Sequence, residues 1–121
     1  MQLKNIDLHL HTTNSDGDNN YTELLKILAN NKVNIFSITD HDTIKDIEEI
    51  RAFCRENYED SEYFSGVEIS SVVFEGEVHI LGYNFDDNNW DMKSFIEEIF
   101  ISRLERMKKM INLLNEKGVL I

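Results

Sequence analysis

The chain has 121 residues, of which 41% are hydrophobic, and its composition is not typical of a disordered or fibrous protein. Its 23 acidic and 12 basic residues give a formal net charge of -11, which argues against stable binding of duplex nucleic acid unless cations reverse the local field. A single cysteine excludes an internal disulfide and no apolar run has membrane-spanning length, so we expect a cytoplasmic protein of one domain or part of one.

The first part of the chain alternates short apolar runs with segments of helical spacing. We predict a strand over residues 6–11, a helix capped by Thr22 that ends near Asn30, and a buried strand over residues 33–39. A second helix is predicted to begin at Asp42 or Thr43, and apolar residues at helical spacing would pack it onto the sheet: Ile44, Ile47, Ile50 and Cys54. This order indicates parallel strands joined by crossover helices.

The later part of the chain changes pattern. Residues 63–74 and 78–83 are predicted strands, and the intervening residues 75–77 are a plausible hairpin turn. A long helix is predicted from about Asp91 to Lys117, with Gly118 as its stop signal. Its apolar stripe is typical of a core or partner surface: Met92, Phe95, Ile96, Ile99, Phe100, Met107, Ile111 and Leu114.

Two histidines fall in the first predicted strand. Strand alternation would place His9 and His11 on one face together with Asp7. Neutral imidazole is a ligand of zinc, iron and manganese, and Asp7 could orient a ring through its second nitrogen. A His-x-His pair on a polar strand face would look the same, so this pair alone does not indicate a metal site.

More candidates follow at the next strand end. Asp16 lies in a tight turn just beyond the first strand, from which its carboxylate could reach the strand end. His41 closes the second strand and would emerge at the same sheet edge as His11. Asp40 would point to the opposite side, so we interpret it as a residue that orients a neighbour.

The last two candidates lie in the predicted hairpin. Glu68 stands among apolar strand formers, where burial is costly without a cation or a hydrogen-bond partner, so it is a candidate bridge between two ions. His79 also lies in an apolar strand, and a lone histidine there is more often a core residue. The metal-site hypothesis therefore depends on the whole set: His9, His11, Asp16, His41, Glu68 and His79.

The candidates fall within five short motifs, HLHT at 9–12, SDG at 15–17, TDHD at 39–42, GVEIS at 66–70 and VHILGY at 78–83. In this order they resemble the N-terminal motifs of the PHP (polymerase and histidinol phosphatase) superfamily, its stand-alone phosphoesterases more than its polymerase modules. The resemblance implies an α/β fold, the N-terminal portion of a distorted (β/α)7 barrel ending in a long amphipathic helix. It also implies two or three divalent metal ions, manganese, zinc or iron.

The resemblance further implies a role for each candidate. The first ion would be held by His9, His11 and Glu68, the second by Glu68 and His79, and the third by Asp16 and His41. Glu68, Asp16 and His41 would be catalytic in the hydrolysis of nucleotides or other small phosphorylated metabolites, or of a short oligonucleotide, by metal-activated hydroxide. Arg103 and Arg106 on the long helix could meet a substrate phosphate, although solvated or salt-bridged guanidinium groups are more common.

The sequence also departs from the family. The full ligand set adds a His or Cys and an Asp-x-His pair from the C-terminal half, yet no histidine follows His79. A complete barrel takes roughly 200 to 250 residues, so we interpret residues 1–121 as an incomplete N-terminal PHP domain. It would be a fragment, or a short protein completed by a second copy or by a C-terminal half of the barrel. Two alternatives remain, a metal-binding or interaction module without turnover and a nuclease module of a DNA polymerase.

Overall fold

Strands and crossover helices alternate through most of the chain. The computed structural model describes residues 5–74 and 76–121, which divide into two units at Asp87 and Asn88. The described elements of the first unit are β1 (Asn5–Leu10), α1 (Tyr21–Asn30), β2 (Val33–Ile38), α2 (Ile47–Asn57), β3 (Glu62–Val73) and β4 (Gly76–Tyr83). The second unit contains α3 (Trp90–Glu116).

The described strands form one sheet in the order β1-β2-β3-β4. β1 and β2 are parallel, as are β2 and β3, because α1 and α2 return the chain to the same end of the sheet. β3 and β4 pair antiparallel, which confirms the predicted hairpin. The predicted turn at residues 75–77 is wrong in part, because Gly76 and Glu77 already pair with Val73 and Val72. Glu75 lies outside the described residues.

The hydrophobic core lies between the two helices of the first unit and one face of the sheet. Leu25, Phe36 and Ile50 are at most 2% exposed, and Cys54 is 5% exposed among them. Complete burial of such a side chain contributes about 1.5 to 3 kcal/mol. Burial raises the pKa of the Cys54 thiol to about 11, so Cys54 is a core residue, as predicted, and is protonated at neutral pH.

Both crossover helices begin at residues that differ from the predicted ones. Asn20, not Thr22, caps α1, because its side chain accepts the backbone N–H of Glu23 at 3.1 Å while the Glu23 carboxylate accepts the N–H of Asn20 at 3.1 Å. α2 begins only at Ile47, after Asp46 in the left-handed region with φ 63°. Asp42 does not cap it, because its carboxylate accepts the backbone N–H of Ser70.

Pairing between β1 and β2 is irregular. The register shifts between Asp7 and Leu10, and Asp7 lies opposite Phe36. β1 therefore has one more residue than β2 between these paired positions, so regular strand alternation alone does not place Asp7 with His9 and His11. His9 and His11 nevertheless lie close together, with ring centroids 5.1 Å apart.

In the second unit, the regular structure among the described residues is α3, a single helix of 27 residues. The Asn89 side chain caps it by accepting the backbone N–H groups of Asp91 and Met92 at 2.9 and 3.2 Å. Gly118 follows its end at φ 83°, a conformation that favours glycine, which confirms the predicted stop. None of its residues, all of which are described, is buried. Among the described residues, no helix has both the length and the apolar character of a membrane-spanning segment.

Candidate metal centre

The carboxyl ends of β1 and β2 lie side by side, because the carbonyl oxygen of Leu10 accepts the backbone N–H of Thr39 at 2.7 Å. His11 and His41 follow these two ends, and their rings stack with centroids 4.8 Å apart. β3 passes the same point, where Glu68 forms a parallel bridge with His41. The topology thus brings together residues that are up to 57 positions apart in the chain, from His11 to Glu68.

The hairpin supplies the fourth imidazole. His79 on β4 is paired with Ser70, so it lies diagonally from Glu68 on the same face of the sheet. Its Nδ1 atom is 2.9 Å from Oε1 of Glu68, and its ring lies 4.8 Å from that of His41, centroid to centroid. All four histidines of the chain therefore belong to one cluster.

The Glu68 carboxylate stands at the centre of this cluster. Its Oε2 atom is 2.8 Å from Nε2 of His9, 3.1 Å from Nε2 of His11 and 3.7 Å from Nε2 of His41. Asp16 approaches from the side, with its carboxylate oxygens 3.3 Å from Nδ1 of His11 and 3.6 Å from Nε2 of His41. The six predicted ligands thus form one connected cluster.

Within the described residues, three groups could each hold a cation, and each offers three ligand atoms within 4.8 Å of one another. Neighbouring groups share a residue, so any ions bound there would be electrostatically coupled. The groups are His9, His11 and Glu68; His11, Asp16 and His41; and His41, Glu68 and His79.

The cluster has a buried part, which we call the floor, and a solvent-exposed part, which we call the rim. The Glu68 side chain is 5% exposed, and those of His11 and His41 are 20% and 19% exposed. Asp16, at 68%, His9, at 50%, and His79, at 40%, are accessible to solvent. A small ligand could therefore reach the cluster from solvent at these three side chains.

The electrostatics of Glu68 favour its charged form. Burial by itself raises the pKa of this carboxyl, but the hydrogen bond with His9 and the nearby rings of His41 and His11 lower it more strongly. The resulting pKa lies below the ordinary value of 4.5. Glu68 is therefore a buried anion at neutral pH.

The donor set fits a divalent cation. One carboxylate oxygen has about two lone-pair directions, yet three imidazole nitrogens lie within 3.7 Å of Oε2 of Glu68. They cannot all donate to it with good geometry, whereas a cation can accept lone pairs from imidazoles and carboxylate together. Nδ1 of His41 is also buried without a hydrogen-bond partner among the described residues.

The backbone around His41 fixes the cluster to β3. The N–H of Glu68 donates to the carbonyl oxygen of Asp40 at 3.2 Å, and the N–H of Asp42 donates to that of Glu68 at 2.9 Å. The Asp42 carboxylate also accepts the N–H of Ser70 at 2.8 Å. Sequence reasoning missed this role of Asp42, and the only signal for it was its place beside a predicted ligand.

The loop between His11 and Asp16 is held by a buried carboxylate. Asp40 is 4% exposed and accepts the backbone N–H and the hydroxyl of Thr12, both at 2.6 Å, and the hydroxyl of Ser15 at 2.7 Å. The loop also folds tightly on itself, because a Cβ at Gly17 would lie 2.3 Å from the backbone oxygen of His11. Thr12 and Ser15 were not predicted as part of the site.

Three other predicted residues are not members of these three groups. The Asp7 carboxylate accepts the backbone N–H of His9 at 3.2 Å, so its described contact is with the backbone rather than with a ring nitrogen. Arg103 and Arg106 lie on α3 in the second unit. Their contact with a substrate phosphate stays a prediction.

Comparison with known proteins gives two informative relatives. The chain is 35% identical over 117 residues to a 5'-3' exoribonuclease of Haemophilus influenzae, a match that covers 96% of this chain and 42% of the relative. It is 30% identical to a 3',5'-nucleoside bisphosphate phosphatase of Chromobacterium violaceum, covering 97% of this chain and 40% of that protein. The chain thus spans about 40% of the length of the curated relatives it matches. No family model matches it.

The fold also has a solved counterpart. The structure is similar to that of a proposed metal-dependent phosphoesterase from Bifidobacterium adolescentis, with a TM-score of 0.80 and 27% sequence identity. The match covers 95% of this chain and 40% of the other. This likeness confirms the predicted fold class, an α/β half-barrel followed by a long helix.

Proposed function

Because the chain belongs to the PHP superfamily, we propose that it forms part of a metal-dependent phosphoesterase that hydrolyses phosphate esters of nucleotides or other small phosphorylated metabolites. The two relatives that act on nucleotides or RNA by their names support this substrate class. The observation that carries the proposal is the buried, ionised Glu68 with the nitrogens of His9 and His79 within 2.9 Å of its two oxygens.

We infer that two or three divalent ions bind to the three overlapping groups. Glu68 would bridge the ions of its two groups, because each of its oxygens faces a different histidine. Asp16 and His41 would hold a third ion at the exposed rim. Imidazole and carboxylate together suit manganese, iron or zinc. When bound, such ions lower the pKa of a water and polarise a phosphate ester.

The residues of the chain have distinct roles in this proposal. Glu68 supplies a fixed negative charge on the closed floor of the site, where water cannot screen it effectively. His11 and His41 contact both Glu68 and Asp16 and are intermediate in exposure between them. Asp16 is exposed and lies on a loop, so its carboxylate can change position when an ion or a phosphate binds. No protein nucleophile is required, since water attacks phosphorus in this class of reaction.

The three-residue groups leave coordination positions for further ligands. A catalytic metal site typically combines three protein ligands with an open position for water or substrate. Because the chain spans about 40% of its relatives, we propose that residues from another part of the barrel, or from a second copy, complete the ligand sets. We also keep three predictions from the sequence as part of this proposal: a cytoplasmic location, a single incomplete domain and a homo-oligomer.

The test combines metal binding with hydrolysis. The chain is titrated with manganese(II) by calorimetry and then assayed on a nucleoside 3',5'-bisphosphate and on p-nitrophenyl phosphate. Glu68→Gln should weaken manganese binding by more than about 100-fold, since loss of an outer partner alone costs about 10- to 100-fold. Glu56→Gln on the exposed face of α2 is the control and should leave binding unchanged. Equal manganese affinity in the two variants would overturn the proposal.

One alternative has a specific observation in its favour. Since the chain spans about 40% of its relatives, it could bind metal and a partner without turnover. Manganese binding that depends on Glu68, with no hydrolysis of either ester, would support this interaction module. Hydrolysis that Glu68→Gln abolishes would rule it out.

A further inference from the structure

β1 contains a bulge at one of the predicted ligands. Its pairing with β2 sets Leu8 and His9 together opposite a single residue, Ser37. A bulge of this kind bends its strand and changes the direction in which a side chain points. The direction of the His9 imidazole therefore depends on how the bulge is held.

Two side chains hold the peptide unit within the bulge. The carbonyl oxygen of Leu8 accepts the hydroxyl of Tyr83 at 2.9 Å, and the N–H of His9 donates to the Asp7 carboxylate at 3.2 Å. Both polar groups belong to the same planar peptide unit, so its orientation is held from two sides. Because this unit leads directly into the Cα atom of His9, its orientation limits where the imidazole can lie.

Tyr83 lies on the face of the sheet that carries Glu68. It pairs with Gly66 on β3, and strand alternation places both residues on the same face as Glu68. Ser37 also lies on this face, because a Cβ at Gly66 would clash with its Oγ atom. Between Tyr83 and Leu8, the inner strands thus present residues with little or no side chain.

The contact between Tyr83 and Leu8 joins the two edge strands of a curved sheet. In a flat sheet, three strand spacings of about 4.8 Å each would separate β1 from β4, which is too far for one tyrosine side chain to span. The Tyr83 hydroxyl nevertheless meets Leu8, and His9 on β1 meets Glu68 on β3 at 2.8 Å. Both contacts close β1 over the same face of the sheet.

We propose that Tyr83 is a positioning residue, whose hydroxyl holds the bulge of β1 and thereby places the His9 imidazole against Glu68. His41 is held separately, because the backbone on either side of it bonds to the backbone of Glu68 at 3.2 and 2.9 Å. Tyr83 should therefore act on His9 and much less on His41. The consequence for metal binding rests on the proposed function, but the placement of His9 does not require a metal.

Nuclear magnetic resonance of the metal-free chain, with a chelator present, tests the placement directly. In the natural chain, nuclear Overhauser effects should connect the Tyr83 ring with protons of Leu8 and His9. Tyr83→Phe should move the carbonyl carbon resonance of Leu8 to lower frequency, because a hydrogen bond is lost, and should shift the His9 ring resonances severalfold more than those of His41.

Tyr63→Phe is the matched control. It removes a hydroxyl from β3 that is buried without a hydrogen-bond partner among the described residues, so the His9 and His41 rings should keep their natural resonances. Thermal unfolding checks that both variants are folded. Absence of the Overhauser effects in the natural chain, or the same His9 spectrum in the two variants, would overturn the proposal.

A zinc(II) titration separates positioning from a general loosening of the site. In Tyr83→Phe, the dissociation constant read from the His9 ring should rise about 10-fold, at the lower end of the range for lost outer partners, while that read from the His41 ring changes much less. An equal rise at both rings would assign Tyr83 a structural role only and would overturn the proposal. A natural chain that binds no zinc would contradict the proposed function, whereas the metal-free spectra would still decide the role of Tyr83.

Discussion

Replacing Glu68 by glutamine tests the electrostatics of the site in the metal-free protein. The folded structure lowers the pKa of this carboxyl below its ordinary value of 4.5. A group with a lowered pKa in the folded state stabilises it above the unfolded pKa, and this contribution is lost as the pH falls through the folded pKa. Glu68 should therefore stabilise the metal-free fold at pH 6 to 7 and contribute little in strong acid.

The magnitude follows from the contacts. Glu68 has imidazole nitrogens at 2.8, 3.1 and 2.9 Å, and hydrogen bonds to a charged group contribute about 1.5 to 3 kcal/mol each. Burial of the charge opposes them by a similar order, so we expect a net loss of about 1 to 3 kcal/mol for Glu68→Gln at pH 7. Urea unfolding with a chelator, repeated from pH 7 to pH 3, measures the difference from the natural chain. A difference that grows below pH 4.5, or a variant that is more stable at pH 7, would refute the reasoning.

Two other substitutions test the surroundings of the site. Gly17→Ala should weaken manganese(II) binding by about 10-fold or more, because the added Cβ would lie 2.3 Å from the backbone of His11 and must move the loop. Calorimetry compares this variant with the control Asp18→Asn. Equal manganese affinities in the two variants would contradict the assigned loop geometry. Asn20→Ala should lower the free energy of unfolding by about 1 kcal/mol through loss of the α1 cap. Thermal unfolding measures that effect against Thr13→Ala, and an unchanged midpoint would show that the cap is not formed.

The positions of the candidate ligands in the fold could be predicted because they depend on short-range patterns. Strand ends are marked by the change from apolar to polar residues, and parallel strands with crossover helices must bring their carboxyl ends to one edge. This is why His11 and His41 could be placed together from the sequence. Glu68 could be added because a carboxylate within an apolar strand requires a partner.

The rest depended on partners that lie far away in the chain. The register shift in β1 is set by its pairing with β2, which periodicity within β1 does not report. From the sequence, Asp42 could cap a helix or accept a hydrogen bond from a distant strand. Only the folded structure shows that its partner is the backbone N–H of Ser70 on β3. The cap at Asn20 is different, since the spacing of Asn20 and Glu23 is a capping-box pattern that was readable from the sequence.

The charge of the site explains why cations must precede an anionic substrate. Five carboxylates lie at or directly behind the cluster: Asp40, Asp42 and Glu68 are at most 7% exposed, whereas Asp16 and Glu77 are exposed. A phosphate approaching this cluster meets negative charge, in a chain whose formal net charge is already -11. Two divalent ions would balance four of these five carboxylates, and a third, near Asp16 and His41, would make the net charge of the site positive. The same balance favours a small phosphate ester over a long polyanion, because only the few ångströms around the ions would attract negative charge, while the acidic remainder of the surface would repel it.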